Sequence, residues 1–462
     1  MQNCEPRNPE ILTKLNKMQT GNATLAPSFY EASLTQPRVE YPALSGDVSC
    51  DVCVVGGGFL GLHTALNLQE RGLKVVLLEA QRIGFGASGR NGGHVIPEFG
   101  GSQSSFEKHL DLESAKKIWQ ISHGAADSLR ERIAKYKIDC DYQSGHIEAA
   151  MTPKHAAALK DWQAHIEKNY NYKNQWISQE DIPQYVGSKR YIAGVLDKNG
   201  GHLHPLKLAL GLAKALKNGG GEIYEHSPAS AWILDAGAVR VSTRNGTVIC
   251  KNLVLGCNVG MESVQTSAAQ RLAKRILPVG TWVIATEPLS AEMANEVLPS
   301  NAAIVDMRFI LDYFRLSADK RMVFGGGCSY TGKESPHNVK DIMRNKMLKV
   351  FPQLESAKID FGWGGLIDIS MNRMPDFGYA EIQNDKSGYA GSEKVLYAQG
   401  FSGSGVVATN AAAGVLSEAI MDNNSKLVMF QRISHIPFPG GKLLRGPVTA
   451  AGMLYHRLLD FF

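Results

Sequence analysis

Residues 51–93 read DVCVVGGGFLGLHTALNLQERGLKVVLLEAQRIGFGASGRNGG, and this stretch decides the fold. An apolar strand runs into Gly56-x-Gly58-x-x-Gly61, a helix pattern follows, and a second apolar strand ends on the acid Glu79. That order is a βαβ unit of the dinucleotide-binding kind. Gly56 suits the tight turn out of the strand, Gly58 admits a pyrophosphate close to the backbone, and Gly61 lets the helix lie against the sheet. The helix start at Phe59 and Leu60 offers unpaired N–H groups to phosphate oxygens. Glu79 lies 18 residues beyond Gly61, with Ala80 next to it. There a carboxylate accepts hydrogen bonds from ribose hydroxyls and repels a 2′-phosphate.

A lone GxGxxG is common structural punctuation, but here strand, helix and acid all fall where the mechanism needs them. The motif does not separate FAD from NAD. The loop behind it does. Gly86, Ala87, Ser88, Arg90, Asn91, Gly92 and Gly93 follow the acid almost at once. The bland alternative is a flexible surface loop, yet so many small residues behind a nucleotide motif predict a backbone that hugs a ligand. Residues 394–420, KVLYAQGFSGSGVVATNAAAGVLSEAI, read as strand, small-residue turn and helix. In the turn Gly400, Phe401, Ser402, Gly403, Ser404 and Gly405 are candidate cofactor contacts. Ser402 or Ser404 could cap the helix and aim its N-terminus at the electron-rich pyrimidine side of a reduced flavin.

At these residues the chain resembles the D-amino-acid-oxidase-like FAD-dependent oxidoreductases, most of all their gamma-glutamylputrescine oxidoreductase branch. The likeness covers nearly everything after about residue 28. It includes IDCDY at 138–142, GGHLHPLKLA at 200–209, LDYFRL at 311–316, NRMPDFG at 372–378 and IPFPGGKLLRGP at 436–447. The resemblance implies FAD as cofactor, with the backbone around Ala229 near the adenine. It implies hydride removal from a carbon bearing an amine, reoxidation of the flavin by oxygen to give hydrogen peroxide, and hydrolysis of the imine to aldehyde and ammonia. A gamma-glutamylated diamine or similar polyamine derivative is the expected substrate. One alternative is an FAD-dependent dehydrogenase or oxidase of a secondary or N-substituted amino acid, passing electrons to a quinone or other carrier. Another is a flavin-binding protein without catalysis.

Composition sets outer bounds. With 44% hydrophobic and 20% charged residues the chain has the make-up of a soluble globular protein, and 462 residues call for two or three cores. The net charge of +5 is spread without a long Lys/Arg run, which argues against nucleic acid as a partner. The N-terminus lacks the apolar core of a secretory signal and no apolar run reaches a membrane span, so the default compartment is the cytoplasm. The seven cysteines are scattered and expected as free thiols; Cys50 and Cys53 form one CxxC without a second, and no metal site is expected. Some relatives tether FAD through a late cysteine. None follows Cys328, which points to non-covalent FAD.

The expected fold is α/β (α+β overall): a Rossmann-like FAD-binding domain with an inserted substrate domain on a large mixed or antiparallel sheet. The chain divides into an N-terminal arm (1–46) and a discontinuous FAD-binding domain (47–140, 198–270 and 356–430). A substrate domain (141–197 and 271–355) and a C-terminal tail (431–462) complete it. Helical spacing covers about 105–137, 153–169 and 338–350, and Pro205 opens a further helix. The tail ends in an amphipathic helix candidate, docked on the protein or touching a membrane surface.

The substrate site is less legible. A primary alkylamine has a pKa of about 10.4 and must be neutral to lose hydride, a cost of roughly 4.6 kcal/mol at pH 7. The expected pocket is therefore apolar and aromatic, with no carboxylate pressed against the nitrogen. Candidate walls are His94, Tyr313, Phe314 and Trp363, and no general base is identified. Two departures from wider family patterns bear on the substrate. Where oxidases of free amino acids carry an arginine clamp, WGGLIDIS offers Leu366, Ile367 and Asp368, and Arg373 comes only later. Where sarcosine oxidases carry an oxygen-activating lysine, RMVFGGG offers Val323.

Overall fold

The computed structural model describes residues 27–308, 310–329, 336–384 and 388–439. The first 26 residues of the expected arm and the tail-helix candidate beyond residue 439 lie outside the described residues.

The opening stretch seeds an eight-stranded sheet. Val48–Val55 is flanked in parallel by Val75–Leu78 and Thr247–Leu255. Glu222–Tyr224 extends one side, and Gly388–Gln399 runs parallel to Thr247–Leu255 on the other. These strands are near-continuous apolar runs because a parallel sheet is covered on both faces. On one face Val52, Val54, Val75 and Leu77 pack with the helices Phe59–Gln69, Pro205–Asn218 and Gly405–Ile420. On the other, Cys53, Val55, Val76 and Leu78 meet Trp232, Val239 and Val241 of the antiparallel pair Ala231–Asp235 and Ala238–Ser242.

The second sheet has nine strands. Its order runs from Ile359–Ser370 through Ile276–Thr286, Met322–Ser329, Asp312–Leu316, Ala303–Asp306, Gln143–Ala150 and Ala193–His202 to His94–Val95, with Gln175–Ile177 beside Ala193–His202. Among the described residues only Ala303–Asp306 and Gln143–Ala150 pair in parallel, so the sheet is mixed. Strand alternation then sorts the side chains. Ile147, Ile284, Ile304, Phe314 and Phe324 point to a core shared with Met343 and Met347 of helix Val339–Val350. The opposite face carries a cross-strand row in register: Val195, Glu148, Val305, Tyr313, Gly325, Val283 and Trp363. Val283 and Trp363 pack there with Leu206 and with Tyr30 of the N-terminal segment.

Three features differ from the sequence reading. Ile359–Ser370, expected in the cofactor domain, hydrogen-bonds along Ile276–Thr286 as an edge of the nine-stranded sheet, and His94–Val95 joins the same sheet. The helix expected over 105–137 is two, Gln103–His109 and Leu112–Lys135. Asp111 breaks it by accepting the Ser114 N–H at 2.8 Å, an N-cap that outcompetes continuation. Part of the expected N-terminal arm is anchored: Ser28 caps a short helix, Phe29–Ala32, whose Tyr30 is fully buried. Among the described residues no helix is long and apolar enough to cross a membrane.

The tightest constraint in the first sheet is backbone contact. A Cβ on Gly61 would sit 1.9 Å from the Gly56 carbonyl oxygen, and one on Gly56, at φ +113°, would sit 2.4 Å from that of Gly256. Gly61→Ala is therefore expected to cost about 3 kcal/mol of stability, as overpacking does. It should also lower the flavin-to-protein absorbance ratio of purified protein severalfold.

Candidate active site

At the nucleotide end, Gly58 is the N-cap of Phe59–Gln69, and the Ser88 hydroxyl comes across from the glycine loop to accept the Phe59 N–H at 2.9 Å. Leu60 and Gly61 lie in the first turn, where backbone N–H groups have no intrahelical acceptor. Glu79 is half-buried: one oxygen accepts the Gly57 N–H at 2.6 Å and the other the Gln81 N–H at 2.7 Å. It clamps the turn as well as ending the strand. Burial raises its carboxyl above the usual range, against the pull of those backbone donors. Ala80 is exposed beside it, and Ala229 is buried against the same sheet.

The loop at 84–93 is held from three sides. Asn91 folds it by donating to the Ala87 and Ser88 carbonyls at 2.9 and 3.0 Å and accepting the Gly93 N–H at 2.7 Å. The Arg90 Nε donates to the Gly364 carbonyl at 2.8 Å, and the Trp363 indole N–H donates back to the Arg90 carbonyl at 2.9 Å. Tyr30 donates its hydroxyl hydrogen to the Asn91 carbonyl at 2.7 Å, and Arg315 Nε donates to that of Gly92 at 2.7 Å. Gly92 is glycine because Tyr313 covers it, a Cβ there meeting that ring at 2.4 Å. Gly86 faces open space, with nothing within 4 Å of a built Cβ.

At the other end the turn before Gly405–Ile420 is strained, with Gly400, Ser402 and Gly403 at φ +76°, +51° and +103°. Asp368 holds it: its carboxylate accepts the Gly400 N–H at 2.5 Å and its carbonyl the Ser402 N–H at 2.9 Å. Burial raises the Asp368 carboxyl to about 6, even against these donors. Phe401 is buried beside Phe377, and Gly403 is exposed. Neither Ser402 nor Ser404 caps the helix as expected. Ser404 occupies the N-cap but makes no cap bond, and its hydroxyl donates to Glu98 at 2.8 Å. A carboxylate already occupies that hydroxyl, leaving the first-turn N–H groups uncapped by it.

The expected pocket walls separate. Tyr313 lies on the face turned to the glycine loop, and its ring meets that of His94 edge-on at 5.3 Å. His94 in turn meets His146 at 5.6 Å. Phe314 does not line this side. As the next residue along the strand it points the opposite way, stacked on Phe324 and against Phe351 in the outer core. Trp363 is fully buried and positions the Arg90 loop rather than walling a pocket. The sequence reading missed Tyr30, Arg315, Glu98 and Glu148. The period-two pattern of Tyr313 and Arg315, and of His146 and Glu148, was the available signal. A separate groove of about 700 Å³, lined by Ser114, Lys117, Asn410, Glu418 and Arg432 among others, contains none of these residues.

With this geometry in place, comparison with known proteins is decisive for the family. A sequence profile described as FAD dependent oxidoreductase (DAO) matches residues 51–419. The chain belongs to the DAO family of FAD-dependent oxidoreductases. It is 38% identical over 433 residues to gamma-glutamylputrescine oxidoreductase of Escherichia coli (strain K12), covering 94% of this chain and 98% of that protein. Among solved structures it resembles L-proline dehydrogenase from P. horikoshii, with TM-score 0.69, 17% identity, and coverage of 85% of this chain and 97% of that one. Glycine oxidase from Geobacillus kaustophilus is similar at TM-score 0.66 and 18% identity, covering 84% and 99%. These two likenesses establish the shared fold. FAD fits the residues present: an uncapped helix start at Leu60 and Gly61 for the diphosphate, and open space above Gly86 and Gly405 for the backbone to approach a ligand.

Two outcomes follow. Asp368→Ala should cost about 2 kcal/mol, from donors left unpaired, and should weaken flavin retention, read as the FAD dissociation constant of the reconstituted protein. The buried imidazoles set acid stability. Burial holds His146 down at about 4, against about 6.5 for a free histidine. The unfolded chain takes this proton first, so the stability is intact above pH 6.5 and is lost as pH falls toward 4. His146 alone accounts for about 3 kcal/mol of that loss. Urea unfolding at pH 7 and pH 4 should show the drop, reduced by that amount in His146→Asn.

Proposed function

We propose that this oxidoreductase acts on CH–NH2 or CH–NH groups and that its substrate is a gamma-glutamylated diamine of the gamma-glutamylputrescine kind. The observation that carries the reading is the 38% identity to the Escherichia coli enzyme of that name, sustained over almost the full length of both chains. The absence of arginine from WGGLIDIS supports it, since Asp368 in that segment is turned to the Gly400 loop instead.

FAD, when bound, accepts the hydride and its electrons leave to oxygen, giving hydrogen peroxide, while the imine hydrolyses to aldehyde and ammonia. The remaining work belongs to the chain. Gly56, Gly58, Phe59, Leu60 and Gly61 hold the diphosphate, Glu79 and Ala80 the ribose, and the Ala229 backbone the adenine. The loop Gly86–Gly93, locked by Arg315 and Trp363, would lie along the cofactor. Residues Gly400–Gly405 lead into a 16-residue helix whose N-terminus would offer partial positive charge to the pyrimidine side of a reduced flavin. The sheet face bearing Tyr313 covers Gly92 of that loop, and from there its ring would shield a bound flavin from water.

Anaerobic addition of gamma-glutamylputrescine should bleach the yellow flavin within seconds, and readmitted air should return one peroxide per flavin reduced. Slow bleaching by every gamma-glutamyl amine, alongside fast bleaching by N-substituted amino acids, would overturn the substrate. Bleaching without peroxide would assign the electrons to a quinone or another carrier. Acid precipitation should release all the flavin into the supernatant, as non-covalent binding requires.

A further inference from the structure

We propose that residues 29–44 form a strap that ties down the two loops bordering the FAD site, and that FAD enters and leaves when the strap lifts. This rests on the proposed placement of FAD and not on the identity of the substrate. Residues 29–44 lie ahead of the profile-matched 51–419, so the strap is an addition to the matched core. Yet it is anchored at both ends of the cofactor site, beside the glycine loop and beside the nucleotide motif.

At the glycine-loop end the anchor is the buried pair Phe29 and Tyr30. Tyr30 donates to the Asn91 carbonyl at 2.7 Å, and its ring stands edge-on to Trp363 and His204 at 5.3 and 4.8 Å. Ser33 shares a 2.9 Å hydrogen bond with the same His204. At the nucleotide end the anchor is Tyr41 and Leu44, again buried. The Tyr41 N–H donates to the buried Glu225 carboxylate at 3.2 Å, and that carboxylate also accepts the Ile83 N–H at 2.7 Å. The Leu44 N–H donates to the Ser227 hydroxyl at 2.8 Å, and the Ser227 N–H to the Glu79 carbonyl at 2.8 Å. Between the anchors 35–37, Val39 and Glu40 are exposed, whereas the Arg38 side chain turns inward and is 9% exposed. It donates to Glu31 at 2.5 Å and to the Ile83 carbonyl. Ile83 in turn packs on the nucleotide motif: a Cβ on Gly57 would meet its Cδ1 at 2.7 Å, and the Gly84 N–H donates to the Gly57 carbonyl at 3.0 Å.

The strap therefore holds backbone atoms of both loops, Asn91 in one and Ile83 in the other, and neither loop can move aside without breaking that bond. Lifting it exposes several groups at once. Departure of Tyr30 leaves the Asn91 carbonyl and the Arg315 donor at 3.2 Å without their partner, and departure of Arg38 does the same to the Ile83 carbonyl. Unmade bonds of this kind are costly, so the strapped form dominates. The exposed span supplies little packing of its own, so once Arg38 comes out the anchors alone hold the segment, and it opens as a unit. A cofactor gripped by both loops is released from that minor open form. By reciprocity of linkage, FAD bound to the strapped form holds the strap down.

The test follows two rates in the holoenzyme. One is exchange of bound FAD for excess 8-chloro-FAD, read by absorbance. The other is trypsin cleavage of the Arg38–Val39 bond, read by mass spectrometry, because trypsin must take the Arg38 side chain that the closed strap buries. Tyr30→Phe keeps the ring and loses the hydroxyl, and Arg38→Gln loses the charged fork. Exchange should rise about tenfold in each, the effect of one lost hydrogen bond. In Tyr30→Phe, cleavage at Arg38 should rise by the same factor, although the substitution lies eight residues earlier. The control is Leu159→Ala, which opens a cavity in the small core with Ala193 and Val195. It should lower the melting temperature at least as much and leave both rates within twofold. Exchange within twofold of wild type in either strap variant overturns the inference. So does a rise in Leu159→Ala that matches theirs, by assigning release to global unfolding. Faster exchange in Tyr30→Phe without faster cleavage at Arg38 also overturns it, by confining the effect to the glycine loop. No amine enters the assay, so the substrate reading stands or falls separately.

Discussion

Arg315 is a buried cation with neutral hydrogen-bond partners, and the arrangement of the site follows from where its donors go. Its Nε reaches the Gly92 carbonyl, one terminal nitrogen the Leu316 carbonyl and the other the Tyr30 hydroxyl. A guanidinium out of water is tolerated only when its donors are matched, so this geometry is expensive to leave unmade. Through it one strand of the nine-stranded sheet grips the glycine loop that follows the nucleotide motif. Tyr30, passing its own hydrogen to the Asn91 carbonyl, draws the N-terminal segment into the same knot. Two sheets with separate cores are thereby joined at the glycine loop.

The same charge shapes the titration of its neighbours. Arg315 adds to burial in keeping His94, His202 and His204 neutral, and His202 and His204 are held down at about 3. His204 uses its neutral ring structurally, accepting the Lys207 N–H as an N-cap. Near the His94 end of the sheet the result is an uncharged imidazole row beside carboxylates. Positive charge that would otherwise sit on these histidines is excluded.

Much of the first sheet was legible in the sequence because its signals are local. Gly56, Gly58 and Gly61, the apolar runs around them and Glu79 lie within about thirty residues and each has one mechanical reading. The site across from it was not, because it depends on pairing between distant segments. Phe314 and Tyr313 are equally aromatic and adjacent, and only the register of Asp312–Leu316 against Met322–Ser329 decides which one faces the glycine loop. Tyr30 failed for a different reason: a four-residue helix carries no periodicity, and its burial comes from Trp363, Arg315 and His204, all more than 170 residues away.

Asp368 shows how a departure from family pattern can be read in both directions. From sequence it marked the loss of a carboxylate clamp. In the structure it is bound to the backbone of the Gly400 turn, three of whose residues have positive φ. An arginine at the neighbouring positions would bring charge toward the same turn and compete for the acid that keeps it in shape. The exchange of a cationic clamp for a buried carboxylate therefore does more than remove affinity for an anionic substrate. It commits this end of the chain to donors already satisfied within the protein, the Gly400 and Ser402 N–H groups on Asp368 and the Ser404 hydroxyl on Glu98.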